Sequence, residues 1–586
     1  MERKETLIKK KYIEYFISTL AMSGSTAITS IVDMIMVGNI IGSNAMAAIG
    51  LTAPIIFIIN VIFGLYIYGG NTLSVTYKGC RDSESADKCF TIAIWGGILA
   101  CALVSLSELI LFSSVAKVLC VGNEELYDPV SEYLFPLLFT GPLVILVNGM
   151  AVFVRSDGLG RLSLAIPIVS NAINLIMDYV FMGLFGFGIG SAAWATNIGF
   201  ISAIILVFPY LRSEKRTVFF NMRGLLDIKL TLDIFKTGLA TALLNASLLF
   251  KSYITNIIVV SLFGASGAVT MSVCLSGGNI ANVLYLGTSQ TMMPIGGALF
   301  GEKDYTGIRY LLRVAASITV TICTVIAALL CIFPYQFAQI FNVDVESIKN
   351  LYYSAFRIYC FSLPFVGIQN IVRSYLQACG HKNAATVMMI LDGTAFFIPI
   401  IYVLSVAAPS MIWITYTAAP ILAMAAVYIY LYISLKKEGM NDLFLLPVNT
   451  GNNAELELTL KGDLKDVSES SEIALAFCHE NGIPDSVGNL IWLSVQEICS
   501  NIAKYAYSGK TGSADLFLKI TDTEVIMRIR DNGIIFNPVE FIDESNNEIT
   551  GLKLLEAMKI KLEYNRILGF NNTIVTIPCA GQNKSA

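Results

Sequence analysis

Asp33 and Asp178 are acidic residues inside apolar stretches of the chain, and they are the first candidates for chemistry. An ionisable side chain costs about 2.5–3.5 kcal/mol or more at the centre of a bilayer, so it rarely persists there without a task. Asn174 lies one helical turn before Asp178, so its amide projects from the same side of a helix, and Thr196 adds a hydroxyl from the next apolar stretch. Two carboxylates, an amide and a hydroxyl suit a hard cation or a proton shared by two acids. The alternative is a pair of aspartates satisfied by interhelical hydrogen bonds alone.

The composition indicates a polytopic membrane protein. Of the 586 residues, 55% are hydrophobic and only 14% are charged, and the mean hydropathy of +0.67 lies well outside the range of soluble domains. The net charge of −4 gives no basis for nucleic-acid binding. The 12 cysteines are scattered without a CxxC pair, which argues against a disulfide scaffold.

The apolar segments predict the membrane topology. A bilayer core about 30 Å thick needs roughly 20 apolar residues per helix. About twelve such segments precede residue 435, and they begin near residues 13, 46, 89, 130, 162, 190, 233, 270, 311, 352, 384 and 409. Lys and Arg are concentrated in alternate loops, which places both the N-terminus and the C-terminal part in the cytoplasm. We therefore predict a multi-pass cell-membrane protein with twelve transmembrane helices in two six-helix lobes.

A repeat relates the two halves of the membrane part. An offset of 222 residues connects the pairs Gly42 and Gly264, Gly79 and Gly301, Asp82 and Asp304, Pro142 and Pro364, Asn148 and Asn370, and Gly158 and Gly380. This shared register indicates a duplication, so we predict lobes at residues 1–215 and 216–440, followed by a cytoplasmic domain at 450–586.

The candidate cation ligands do not follow the repeat. The same offset places Thr255 opposite Asp33 and Ile400 opposite Asp178, so the acidic site belongs to the first lobe alone. The second lobe has its own charges, Lys251 and Asp392, at similar predicted depth. They form either a structural ion pair, because an unpaired charge is costly in a membrane, or a substrate contact in a cavity.

Three stretches of the first lobe resemble the multidrug and toxic compound extrusion (MATE) transporters. They are Asp33 with the Met36-Val37-Gly38 that follows, Arg155–Gly158, and the run from Asn174 to Asp178 continued by Gly188 to Thr196. The resemblance covers roughly residues 10–435. It implies that Asp33, Asn174, Asp178 and Thr196 form a cation site in the N-terminal lobe, where binding of Na+ or H+ is coupled to drug release. The acidic residues that the family carries in the second lobe are not evident, and Lys251 stands in that region instead.

The tail after Lys437 has the pattern of an α+β domain. Its length of about 135 residues suffices for one independent core. A helix beginning near Pro484 places Glu497 and Asn501 four residues apart on one face. Strands are predicted at 514–520 and 524–530, and the second ends in the turn Asp531-Asn532-Gly533.

These pieces resemble the GHKL type of ATP-binding fold, most closely the serine kinases that act as anti-sigma factors. The resemblance implies that Asn501 binds Mg2+ beside the phosphates, that Glu497 is the general base, and that Asp531 accepts the adenine amino group. Gly533 and Gly551 would belong to the two glycine boxes, but each box has lost a glycine, at Ile535 and Lys553. The alternative is a docking module without nucleotide. No Walker loop occurs, so ATP-driven pumping is not expected.

The sequence therefore predicts a Na+- or H+-coupled antiporter that exports amphiphilic organic compounds and has a nucleotide-binding-like regulatory domain. A lipid-linked sugar flippase of the same superfamily is a second possibility. The alternative from another class is a membrane sensor that controls a kinase-like or docking domain acting on a cytoplasmic protein partner. The expected partners are the lipid bilayer and a small organic substrate, and the expected cofactors are the coupling ion and ATP with Mg2+.

Overall fold

A computed structural model describes most of the chain. The described residues are 6–41, 43–120, 126–213, 216–340, 349–437, 442–446, 454–460, 463–507, 512–521, 523–540, 558 and 560–579. The chain divides into two compact units, Tyr12–Gly439 and a second unit that combines Met1–Lys11 with Met440–Ala586.

The described residues up to Lys437 are almost entirely helical, as expected where a bilayer leaves backbone N–H and C=O groups no partner except one another. The α-helices among the described residues are α1 (Thr6–Ile40), α2 (Ser43–Phe63), α3 (Gly69–Gly79), α4 (Ser83–Thr91), α5 (Gly97–Ile110), α6 (Phe112–Leu119), α7 (Tyr127–Leu137), α8 (Thr140–Ser156), α9 (Gly160–Asp178), α10 (Gly190–Leu211), α11 (Ile228–Gly301), α12 (Tyr305–Ile332), α13 (Pro334–Ile340), α14 (Lys349–Phe361), α15 (Leu363–Ala378), α16 (Lys382–Ile390), α17 (Phe397–Ala407) and α18 (Thr415–Lys437). Short π-helical turns at Gly64–Tyr68, Ile92–Gly96, Tyr179–Leu184 and Leu391–Ala395 join successive segments.

Ten helical segments in the described part of the chain are long and apolar enough to cross a membrane. The pair α7 and α8, bent by 44°, is an eleventh if it is counted as one span. Helix α11 breaks at Gly264, where φ is 59° and ψ is −143°, so it supplies two of these spans, Ile228–Gly264 and Val269–Gly301. The polytopic helical architecture is thus confirmed, whereas the number of twelve spans stays a prediction.

The repeat is visible in the geometry of matching turns. Asp82 and Asp304 each cap the following helix by accepting a hydrogen bond from a backbone N–H three residues on, at 3.0 and 2.9 Å. The residues just before them, Arg81 and Lys303, have φ of 65° and 58°, an uncommon conformation for residues with a side chain. The two turns therefore share an unusual shape as well as a sequence register.

The two halves meet at a symmetric contact between Gly79 and Gly301. A Cβ atom built on either glycine would lie 2.9 Å from the Cα atom of the other. The Gly79 position also approaches the carbonyl of Ala298, and the Gly301 position approaches that of Thr76, which are repeat-related residues. Only glycine permits this approach, so α3 and the end of α11 pack backbone to backbone. The exact boundaries of the lobes stay a prediction.

The tail forms an α+β unit. Its strands and helices are β1 (Ala454–Leu460), α19 (Leu464–Glu480), α20 (Asp485–Asn501), β2 (Ala514–Ile520), β3 (Glu524–Asp531), β4 (Lys561–Ile567) and β5 (Phe570–Pro578). The sheet is antiparallel with strand order β1-β2-β3-β5-β4, and α19 and α20 share a core with it that includes Ile491, Leu518 and Met527. The predicted helix near Pro484 and both predicted strands are present, although β3 extends one residue further, to Asp531.

Candidate functional site

The side chains of Asp33 and Asp178 meet inside the first lobe. Asp33 lies on α1 and Asp178 is the last residue of α9, and their carboxyl groups are within hydrogen-bonding range of each other. Asp178 is fully buried. Within the described residues, the Oδ1 atom of each carboxyl is buried and receives no hydrogen bond. Two carboxylates can remain this close only with a proton or a cation between them, because like charges at short range repel.

Asn174 and Thr196 complete the group that the sequence singled out. The Asn174 side-chain amide donates to Asp178 Oδ2 at 3.0 Å and to Thr196 Oγ1 at 3.2 Å. The Thr196 hydroxyl in turn donates to the backbone carbonyl of Ala192 at 3.1 Å. The structure thus brings all four predicted residues together at the junction of α1, α9 and α10.

Tyr133 is a member of the site that the sequence analysis missed. It lies on α7, close enough to interact electrostatically with both Asp33 and Asp178. Tyrosine is common in apolar helices, so its residue type gave no signal. Its position became evident only when α7 was placed beside the two aspartates.

Helix α10 is held against the site by small and polar residues. A Cβ atom on Gly199 would lie 2.5 Å from the carbonyl of Ser170 and 3.2 Å from Asn174 Cβ, so the glycine lets α10 approach α9 closely. The Asn197 amide donates to the carbonyl of Pro136 at 2.8 Å and accepts from the Thr140 hydroxyl at 2.8 Å. These bonds fix the helix that carries Thr196 to the bend between α7 and α8.

The second lobe contains a buried ion pair. Lys251 Nζ lies 2.6 Å from Asp392 Oδ1, and the two side chains are 7% and 3% exposed. The ammonium group also lies 5.2 Å from the centre of the Phe397 ring. This contact is the pairing that one of the two sequence interpretations gave Lys251 and Asp392, and their role toward a substrate stays a prediction. Thr255, the repeat equivalent of Asp33, instead makes a neutral hydrogen bond to Tyr416 at 3.1 Å.

The ion pair lines a cavity of about 110 Å³ in the second lobe. Polar side chains also face it, among them Asn279, Asn282 and Gln369. Gln369 is 2% exposed, and its amide nitrogen has no hydrogen-bond partner among the described residues. A buried donor without a partner costs about 1–3 kcal/mol, so this cavity has the chemistry to accept a hydrogen-bonding ligand.

In the tail, the predicted nucleotide-binding residues that the structure describes lie close to where α20 and β3 end. The Asn501 amide donates to Glu497 Oε1 at 3.2 Å, so the four-residue spacing places both on one face of α20. Burial raises the pKa of the neighbouring Cys499 to about 12, and the nearby Asp531 carboxylate adds to the rise. That interaction places the end of β3 beside the end of α20.

Asp531 is firmly held. Its Oδ1 atom accepts hydrogen bonds from the Gly533 backbone N–H at 2.7 Å and from the Asn571 amide at 3.0 Å. Burial raises the pKa of Asp531 above its usual range, and these two hydrogen bonds oppose the rise. Asn571 was not predicted, because it comes from β5 and neighbours β3 only through the strand order. Gly551 and Lys553, from the second glycine box, lie outside the described residues.

Comparison with known proteins matches the helical part of the chain. A family model described as MatE matches residues 19–180 and 240–403. The "Multidrug export protein MepA" of Staphylococcus haemolyticus is 23% identical over 429 residues, which are 73% of this chain and 94% of that protein. The Staphylococcus aureus protein of the same name is 24% identical over 407 residues, 69% of this chain and 89% of that protein.

Solved structures show the same fold. A MOP superfamily transporter from Pyrococcus furiosus aligns with a TM-score of 0.68 at 18% identity, and the match covers 74% of this chain and 97% of that one. An aspartate-to-asparagine mutant of the Vibrio cholerae MATE transporter VcmN aligns with a TM-score of 0.68 at 21% identity, covering 75% and 99%.

Proposed function

The chain belongs to the MatE family, and from that membership we propose that it is a cation-coupled secondary exporter of amphiphilic organic compounds. The relatives named as multidrug export proteins match over most of their own length, which supports export as the activity. The observation that carries the coupling proposal is the contact between Asp33 and Asp178, in which one buried oxygen of each carboxyl has no hydrogen-bond partner in the described part of the chain.

The coupling follows from electrostatics. At an effective dielectric constant of 20, two unit charges about 4 Å apart repel by about 4 kcal/mol. A Na+ ion or a proton between the carboxyls removes this repulsion, and 4 kcal/mol corresponds to about a thousandfold change in an equilibrium constant. Occupancy therefore favours the state in which the two aspartates meet, and release of the cation favours a state in which they separate. Asn174 and Thr196 supply further oxygen atoms for Na+.

The cavity beside Lys251 and Asp392 is the proposed substrate subsite. Its volume of about 110 Å³ is below the roughly 300 Å³ that drug-sized ligands need. In this conformation it therefore accommodates only part of a substrate, with Gln369 and the ion pair as polar contacts. Movement of the lobes would provide the remaining volume.

Transport by the full-length protein in proteoliposomes tests the coupling. Ethidium export is driven in separate experiments by an imposed Na+ gradient and an imposed pH gradient. We expect Asp33→Asn and Asp178→Asn each to reduce gradient-driven export at least tenfold, whereas Glu108→Gln, which removes another buried acid of the same lobe, retains it. Normal export by both aspartate variants would overturn the coupling proposal.

For the tail, the second proposal is ATP binding with Mg2+ at Glu497, Asn501 and Asp531, which regulates transport. The supporting observations are that Glu497 and Asn501 share one face near the end of α20, and that the backbone N–H of Ile534, just after β3, donates to the carbonyl of Ala506, just after α20. Groups of three or more acidic, His or Cys side chains able to hold a metal do not occur among the described residues. Mg2+ would therefore depend on the nucleotide phosphates beside Asn501.

Fluorescent ATP-analogue binding to the full-length protein tests this second proposal. Asn501→Ala should abolish Mg2+-dependent binding, and Asn481→Ala, an exposed asparagine at the end of α19, should not. Transfer of phosphate to a serine of a second protein would instead support the membrane-sensor function. Equal binding by both variants would refute the site.

A further inference from the structure

A second cavity, of about 780 Å³, opens between α11, α16 and α18. Its rim contains three basic residues, Lys236, His381 and Lys382, and one acid, Asp233. Lys382 lies 3.5 Å from Asp233 Oδ1, so that pair is close to neutral. The exposed Lys236 therefore leaves the rim with an excess of positive charge.

The wall of the cavity is apolar and deep. It includes Val387 and Leu391 from α16 and its π-helical turn, and Val427 and Leu431 from α18. Leu391 is nine residues beyond Lys382, which corresponds to about 13 Å along a helix. Half of a bilayer core is about 15 Å thick. The cavity is therefore a slot between α11, α16 and α18. It runs from the polar membrane boundary, where α11 and α16 begin and α18 ends, nearly to the middle of the bilayer.

We propose that this slot binds one anionic phospholipid, with its phosphate at Lys236 and Lys382 and an acyl chain against the apolar wall. A soluble anion would leave the deep wall unused, and a zwitterionic lipid would not neutralise the positive rim. An amphiphilic cation such as ethidium would be repelled by Lys236. Basic pockets between helices at a membrane face bind anionic headgroups in this way.

The repeat indicates that the first lobe has no second copy of the site. The residue equivalent to Lys236 is Glu14, and the residue equivalent to Lys382 is Gly160. A Cβ atom on Gly160 would lie 3.4 Å from Glu14 Oε1. The first lobe therefore has an acidic residue at the position where the slot of the second lobe has its basic rim. The expected stoichiometry is one retained anionic lipid per chain.

Native mass spectrometry of the delipidated full-length protein tests the proposal. The protein is mixed with equal amounts of dioleoyl phosphatidylglycerol and dioleoyl phosphatidylcholine, which differ only in the headgroup. We expect retention of one phosphatidylglycerol. Lys236→Gln should lower its retention relative to phosphatidylcholine about fivefold, the loss expected for one basic residue near an anionic lipid surface.

Arg313→Gln is the matched control. Arg313 is exposed and is the ninth residue of α12, as Lys236 is of α11, and both helices begin at the same membrane face. Ala384→Trp fills the slot and should remove both lipids. If the Ala384→Trp protein does not fold, the comparison of Lys236→Gln with Arg313→Gln decides the outcome. Equal retention of the two lipids by the unsubstituted protein, or equal loss in the Lys236 and Arg313 variants, would overturn the proposal. Displacement of phosphatidylglycerol by millimolar inorganic phosphate would show a soluble-anion site and would overturn it as well.

Discussion

Breaking the buried ion pair of the second lobe should destabilise the protein more than removing the pair altogether. Lys251→Met leaves the Asp392 carboxylate buried at 3% exposure without its partner 2.6 Å away. Removal of one member of a buried pair typically costs about 3–5 kcal/mol, because the remaining charge keeps its desolvation penalty without compensation. The lost contact between Lys251 and the Phe397 ring adds about 0.5–2 kcal/mol.

The double variant Lys251→Met with Asp392→Asn removes both charges. No uncompensated charge then remains in the core, so most of the stability should return. Unfolding in mild detergent, followed by tryptophan fluorescence, reports on this region because Trp413 is buried in the same core as Phe397. If the single variant is as stable as the unsubstituted protein, or the double variant is no more stable than the single one, the reasoning is refuted.

The same double variant separates the two roles of the pair. A purely structural pair predicts that ethidium export recovers together with stability. A pair that contacts substrate predicts that export stays impaired when stability has recovered.

Three further predictions follow from other contacts. Gly199→Val should weaken the packing of α10 on α9 by about 1–3 kcal/mol and reduce gradient-driven export, since a Cβ atom at position 199 would lie 2.5 Å from the Ser170 carbonyl. Unchanged unfolding and unchanged transport in this variant would contradict the prediction. Gly301→Ala should push the lobes apart at their symmetric contact, because its Cβ would crowd the Thr76 carbonyl, and thiol labelling of a Thr76→Cys background should become faster rather than stay constant. Because burial raises the pKa of Asp531 in the folded tail, the folded state binds more protons than the unfolded state, and stability from this group falls as pH rises from about 4 through the raised pKa. Asp531→Asn should flatten that decline in thermal unfolding measured from pH 4 to 7, and an unchanged pH profile would count against the argument.

Local features of the site followed from the sequence. Helix geometry fixes residues four apart on one face, so the contacts of Asn174 with Asp178 and of Asn501 with Glu497 needed only the prediction of a helix. The strands at Ala514–Ile520 and Glu524–Asp531 were also predicted, the second to within one residue, because their apolar residues alternate.

Contacts between elements that are distant in the chain could not be predicted from residue spacing. Tyr133 and Asn571 carry no pattern that connects them to Asp33 or to Asp531, since each reaches its partner through helix packing or strand order. The predicted number of spans depended on hydropathy alone and did not include the 44° bend between α7 and α8.

The sequence by itself determined the membrane class, the repeated register and the identity of the polar side chains within apolar helices. These properties depend on residue type and on spacings of a few residues, which backbone hydrogen bonding converts directly into structure. Only the tertiary structure decided that Asp33 reaches Asp178, that Lys251 and Asp392 share a cavity with Gln369, and that a basic rim lies above an apolar slot. The physical reason is that helices meet where small residues such as Gly199 and Gly79 allow close backbone approach, and each such contact depends on the shapes of two separate surfaces.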